Sequence, residues 1–196
     1  SDKSIVSILN GEIYNHDEIR ENLISKGYKF LTKNDTEVIA NAYHFWGKDF
    51  LSKIKGQFAF VTFNKNKQEG ILARDELGVC PLYYFMNEEK FYFSSTPESI
   101  FLQLKQILNI NKQALSDFMI AGTVSEGNTF FENIKYLKPG NFFEVILNQK
   151  MQSPKSFTSR KNYLKIKDKK SESQYVEEIY QILKENVNLR VKGDKE

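Results

Sequence analysis

The stretch Asn10-Gly11-Glu12-Ile13-Tyr14-Asn15 decides how this chain is read. It follows Ser4-Ile5-Val6-Ser7-Ile8-Leu9, a run of β-formers, so the pattern predicts a strand that stops at Asn-Gly. On that reading Asn10 sits at a strand end. An asparagine amide donates an N–H without a proton to lose, and glycine lets the backbone approach a ligand without a Cβ in the way. Donors fixed where negative charge develops on a tetrahedral intermediate lower an acyl-transfer barrier by about 3 kcal/mol each. Taken alone, Asn-Gly is more often an ordinary tight turn. Further along, the carboxylate of Asp35 suits an ammonium in a partly desolvated pocket, which would select an amino acid over a plain amide.

Such chemistry needs a nucleophile, and the chain offers no good one. Its single cysteine, Cys80 in Gly78-Val79-Cys80-Pro81, is expected to be a small buried apolar group. Ser1 is separated from Asn10 by a strand, which at ~3.3 Å per residue leaves its hydroxyl more than ~20 Å away. His16 and His44 read as surface or helix-packing residues rather than acid-base catalysts.

Composition narrows the class. With 196 residues, 40% hydrophobic and 14% aromatic, the chain can build a sizeable core and is not disordered. Twenty-eight basic against 25 acidic side chains leave +3, too little to imply nucleic acid or an anionic membrane as the main partner. No apolar run approaches the ~20 residues of a membrane span, and the start Ser-Asp-Lys-Ser lacks a signal peptide's layout, so the chain reads as cytoplasmic. One cysteine and two histidines exclude a disulfide framework and argue against a metal.

Periodicity predicts helices over His16–Lys26 and Asp35–Trp46, each ending at a glycine. Phe58–Phe63, Gly70–Ala73, Leu82–Met86 and Lys90–Ser94 read as an antiparallel meander of short strands, with the Phe58 and Phe60 stripe in the core. Helices over Glu98–Leu104 and Lys112–Ala121 follow, then a strand over Asn141–Leu147 after the Pro139-Gly140 turn. Arg74-Asp75 is expected to form an ion pair that organises the turn at Gly78. The basic run from Lys150 to Lys170 reads as a solvated linker. Ser171–Arg190 resumes helical spacing with Ser171 or Ser173 as cap; one amphipathic helix cannot bury its stripe alone, so it is expected to open a second domain. The expected organisation is a domain over 1–148, a linker over 149–170 and the start of a second domain over 171–196.

Five ordered motifs carry a resemblance: Asn10 to Asn15; Asn34-Asp35-Thr36-Glu37; Gly56-Gln57-Phe58-Ala59-Phe60; Ala73 to Tyr84; and Leu137-Lys138-Pro139-Gly140. In this order they resemble glutamine-hydrolysing asparagine synthetases, over roughly Ile5 to Val145. The resemblance implies an α+β fold of the N-terminal-nucleophile hydrolase type, a four-layer αββα sandwich of antiparallel sheets, here incomplete at the N-terminus. It implies that glutamine is hydrolysed to glutamate and ammonia by an N-terminal cysteine, and that ammonia passes to a synthetase domain that amidates aspartate with ATP and Mg. Carried over, the Asn10 amide and the Gly11 N–H form the oxyanion hole, while Glu12 and Asp35 hold the ammonium of glutamine. The family's cysteine lies before Asn10 and its ATP loop beyond the Ser171 helix; neither is in these 196 residues, so no cofactor is expected on this chain and no glutamine turnover from it alone. Ser95-Thr96-Pro97-Glu98, where the family places Ser-Glu directly, is expected to reshape one turn without touching the pocket. Expected partners are glutamine and the rest of the same polypeptide; a homo-oligomer stays open. Two alternatives also stay open: the glutaminase part of an amidotransferase acting on a sugar or peptide precursor, and a non-catalytic module of the same fold.

Overall fold

The computed structural model describes residues 4–105, 109–125, 127–147, 149–150, 152–158 and 170–191. The chain divides into two compact units, Ser1–Thr158 and Ser159–Glu196.

In the first unit, strand β1 (Ile5–Ile13) leads into helices α1 (His16–Ser25) and α2 (Asp35–Trp46), then a 3-10 turn over Gly47–Ser52. Strands β2 (Gly56–Asn64) and β3 (Glu69–Arg74) form a hairpin, and β4 (Tyr83–Met86) and β5 (Phe91–Ser94) form another. Helices α3 (Pro97–Leu104) and α4 (Lys112–Ala121) precede β6 (Ile134–Tyr136), β7 (Asn141–Ile146) and β8 (Lys155–Ser156). The helices form where apolar side chains recur at helical spacing. In α1 that places Ile19 and Leu23 inward, and in α2 Val38, Ile39 and Ala42. The Asn34 side chain accepts from the Thr36 N–H at 2.8 Å and caps α2.

Two antiparallel sheets result, one in the order β1-β2-β3-β7-β8 and one in the order β5-β4-β6. Leu23, Val38, Ile39, Phe50, Phe60 and Ile71 are buried between α1, α2 and one face of the larger sheet. Leu72, Leu82, Leu137 and Phe143 fill the space between the sheets, with the Tyr84 ring edge-on to Phe143 at 4.8 Å. Ile100 of α3 packs on Phe85 and Ile134 of the smaller sheet. Each fully buried side chain of this size contributes about 1.5–3 kcal/mol. The layering is helix, sheet, sheet, helix.

Two expectations are corrected. The strand does not stop at Asn-Gly: β1 continues to Ile13, with Gly11 opposite Phe58 and Glu12 opposite Gln57. Pairing with β2 therefore outweighs the turn preference of the dipeptide. The meander is also two hairpins in different sheets, since β3 pairs next with β7 and β4 with β6. The short β8 lies within the stretch read as a linker, pairing Lys155 with Phe142 and Ser156 with Asn141.

The second unit contains α5 (Glu172–Val191), a helix of 20 residues with none buried. Its first turn is tied by the Gln174 N–H, which donates to the Ser171 hydroxyl at 3.4 Å. Most of the basic run, residues 159–169, lies outside the described residues, as does Ser1. Among the described residues no helix is long and apolar enough to cross a membrane.

Candidate functional site

The end of β1 is held by three sets of contacts. At its close, the Asn15 amide donates to the Lys53 carbonyl at 2.9 Å and its side-chain oxygen accepts from the Lys55 N–H at 2.8 Å, so the last residue of the hexapeptide is a structural clamp. At its middle, Gly11 adopts φ 113°, and an added Cβ would strike the Gln57 carbonyl oxygen and come within 2.8 Å of the Cys80 sulfur. No other residue fits there. Beneath it, the turn from Arg74 to Cys80 is organised by two buried side chains.

Those two do not form the expected ion pair. Arg74, 1% exposed, donates to three carbonyls: Cys80 from Nε at 2.6 Å, Leu137 from Nη1 at 2.7 Å and Gly78 from Nη2 at 2.6 Å. Its guanidinium also lies 3.8 Å from the Tyr136 ring centroid. Asp75, equally buried, accepts from the N–H groups of Leu77, Val79, Phe58 and Cys80. Each charge is spent on backbone groups that the turn leaves without a ladder partner. Cys80 is thereby fixed against Gly11 at 8% exposure, and burial, then the Asp75 charge, pushes its thiol above the ordinary range. As expected it is a buried packing residue, and a thiol with little thiolate is a poor nucleophile.

Strand alternation puts Asn10 on the inter-sheet face, where its amide donates to the Ser95 hydroxyl at 3.1 Å. Asp35, the first residue of α2, approaches the same strand from the helix layer: its Oδ2 accepts from the Ile13 N–H at 3.2 Å. The segment leading to it is firmly held. Arg20 donates to the carbonyls of Thr32 and Lys33 at 2.6 Å each, and Glu37 accepts from the N–H groups of Leu31 and Thr32. The structure thus gathers Asn10, Gly11, Glu12 and Asp35 at one end of β1. Asn10 and Gly11 are exposed there, and Glu12 and Asp35 half-buried, because β1 has no strand on its other side among the described residues.

Ser95 is the residue that sequence reasoning missed. The turn at Ser95 to Glu98 does reach the site, because Ser95 bonds the amide of Asn10 directly. An amide nitrogen carries two hydrogens, so one N–H is anchored across the sheets and the other remains to donate. Local sequence holds no signal for a contact spanning 85 residues. Neither histidine joins the site: His44 Nδ1 meets the Tyr28 hydroxyl at 2.6 Å, and His16 Nδ1 lies 3.3 Å from Asp17.

The fold has solved counterparts. A Bacillus subtilis glutamine phosphoribosylpyrophosphate amidotransferase complexed with ADP and GMP aligns over 81% of this chain and 30% of its own, with a TM-score of 0.51 and 22% identity. An allosteric regulatory enzyme of purine biosynthesis aligns over 83% and 30%, with a TM-score of 0.54 and 22% identity. These neighbours define the fold as that of the N-terminal-nucleophile amidotransferases, an α+β class. The chain belongs to the glutamine amidotransferase domain family, whose model matches residues 1–158. Among curated relatives, asparagine synthetase [glutamine-hydrolyzing] 1 of Bacillus subtilis is 34% identical over 98% of this chain and 30% of its own length. A putative asparagine synthetase [glutamine-hydrolyzing] 2 of Methanocaldococcus jannaschii is 31% identical over 97% and 36%. The amidase chyE of Penicillium rubens is 28% identical over 98% and 28%. The chain therefore spans about a third of the length of the curated relatives it matches.

Proposed function

We propose that this chain supplies the glutamine-holding part of a glutamine-dependent asparagine synthetase of the cytoplasm. Asn10 and the Gly11 N–H would receive the oxyanion of the attacked side-chain amide, and Glu12 and Asp35 the α-ammonium. The observation that carries the reading is the hydrogen bond from the Ile13 N–H to Asp35, which sets a carboxylate beside the Asn10–Glu12 segment although 22 residues separate the pair. One Asp35 oxygen is engaged there; the other accepts no hydrogen bond from another described residue and would meet an ammonium. The anchored Asn10 amide supports the second half of the role, since a fixed donor needs no reorganisation as charge develops.

The nucleophile would come from residues outside these 196, because the one cysteine present is buried beneath Gly11. The ammonia acceptor, ATP and Mg belong to the longer polypeptide, and no residue of this chain is assigned to them. Ammonia release from glutamine tests the assignment. The 196-residue chain is expected to release none. In the longer gene product, Asn10→Ala should lower kcat about 10²–10³-fold with little change in KM, while Asp35→Asn should chiefly raise KM for glutamine. Turnover in the longer product indifferent to both changes would overturn the proposal, as would turnover by the 196-residue chain that Asn10→Ala abolishes.

A further inference from the structure

At the end of the larger sheet remote from Gly11, the residues Ile5, Asn64, Glu69 and Ile146 stand in register across β1, β2, β3 and β7. Between this row and the C-terminal end of α2 lies a hollow of about 500 Å³. That volume is within the ~300–1,000 Å³ of small-molecule sites. Ile71, 2% exposed, and the exposed Lys48 and Lys67 are among the residues that line it.

Tyr43 lines the hollow at 8% exposure, and its hydroxyl makes no hydrogen bond to any described residue. Burial, then the charges of Glu69 and Glu144, push its pKa up to about 12, so at neutral pH it keeps its proton and can donate a hydrogen bond. The two carboxylates differ. Glu144 accepts from Lys48 at 2.8 Å on one oxygen and from Lys155 at 2.7 Å on the other, whereas Glu69 has among the described residues only Lys67, at 3.8 Å and beyond hydrogen-bond range. Among the charged and phenolic lining side chains, Tyr43, Lys67 and Glu69 make no hydrogen bond to another described residue, so two can donate and one can accept. Among the lining residues Lys48 and Lys67 balance Glu69 and Glu144, which suits a zwitterion better than a polyanion or a dication.

We infer that this hollow binds a free amino acid with an apolar side chain, its carboxylate on the Tyr43 hydroxyl and Lys67, its ammonium on Glu69, and its side chain against Ile71. The site is separate from the Asn10 end of β1 and does not depend on the role proposed there. The test uses the 196-residue chain with L-leucine as probe, read by the fluorescence of Trp46, which lies between the lining residues Phe45 and Gly47 and is the only tryptophan. Amide shifts of Lys48 and Gly70 locate the binding, and those of Gly11 and Asp35 are expected not to move. Saturable binding is expected, weakened about fivefold by Tyr43→Phe and by Glu69→Gln, the loss of roughly one hydrogen bond each. 4-Methylpentanoate, which lacks the ammonium, and 3-methylbutylamine, which lacks the carboxylate, should each bind more weakly. The inference fails if leucine gives no saturable response, if binding survives both substitutions in variants with wild-type circular dichroism, or if either half-ligand binds as tightly as leucine.

Discussion

At the scale of single residues, Asp75 organises the turn against which the proposed site is built. One carboxylate accepts from four N–H groups, on β2 and on the Leu77–Cys80 turn, and so fixes the sulfur on which Gly11 rests. Replacing it leaves those donors without an acceptor in a place water barely reaches. Asp75→Ala is therefore expected to destabilise the domain by about 3–5 kcal/mol, the range found when one member of a buried polar network is removed. Urea unfolding with an unchanged m-value would show it; a loss below about 1 kcal/mol would refute the role. The exposed pair Lys67 and Glu69 should contribute at most about 1 kcal/mol. Asn10, Gly11, Glu12 and Asp35 could be picked out from the sequence because each has a local motif around it. Ser95 could not, since its partner is distant along the chain and a serine in a turn has many ordinary uses. For Arg74 and Asp75 adjacency suggested a mutual pair, whereas burial beside unpaired backbone groups makes hydrogen bonds to the backbone the better use of both charges.

At the scale of elements, the start of α2 shows how Asp35 is positioned. Asn34 caps the helix, Arg20 holds the carbonyls before it, and Glu37 reaches back to Leu31 and Thr32. Burial alone would raise the Glu37 carboxyl, but these hydrogen bonds and the Arg20 charge outweigh it and hold the group below the ordinary glutamate value of 4.5. A depressed folded pKa adds stability that is fully present above the unfolded value and disappears as pH falls through the folded one. The difference in urea midpoint between wild type and Glu37→Gln is thus expected to be constant above about pH 5 and to shrink at lower pH. A difference independent of pH down to acid unfolding would show that the charge of Glu37 contributes nothing. Helices α2 and α4 have the bounds read from periodicity, Asp35–Trp46 and Lys112–Ala121, because a cap at one end and a glycine at the other mark each. The three-residue β6 and two-residue β8 escaped notice, being too short to carry a period of two.

For the whole molecule, the open side of β1 is the feature with the widest consequence. Val6 and Ile8 are 46% and 65% exposed on a strand that, among the described residues, pairs only with β2, and Phe93 on β5, at the edge of the smaller sheet, is 42% exposed. An apolar edge strand recruits other strands. The 196-residue chain is expected to self-associate with rising concentration, and Ile8→Lys, which sets a charge on that edge, to shift sedimentation toward the monomer with no loss of helix or strand signal. A wild-type chain that stays monomeric at high concentration would contradict this. The sequence by itself determined the helices, most strands, the core stripe of Phe58 and Phe60, and the motifs whose order resembles the amidotransferases, since all of these follow from periodicity and local chemistry. Only the tertiary structure decided that the strands divide into two facing sheets, that β1 runs on through Asn10 and Gly11, and that Ser95 and Cys80 close around them. Those outcomes depend on which strand edges meet and which side chains are buried together, and contacts across 20 to 85 residues leave no mark on the local pattern.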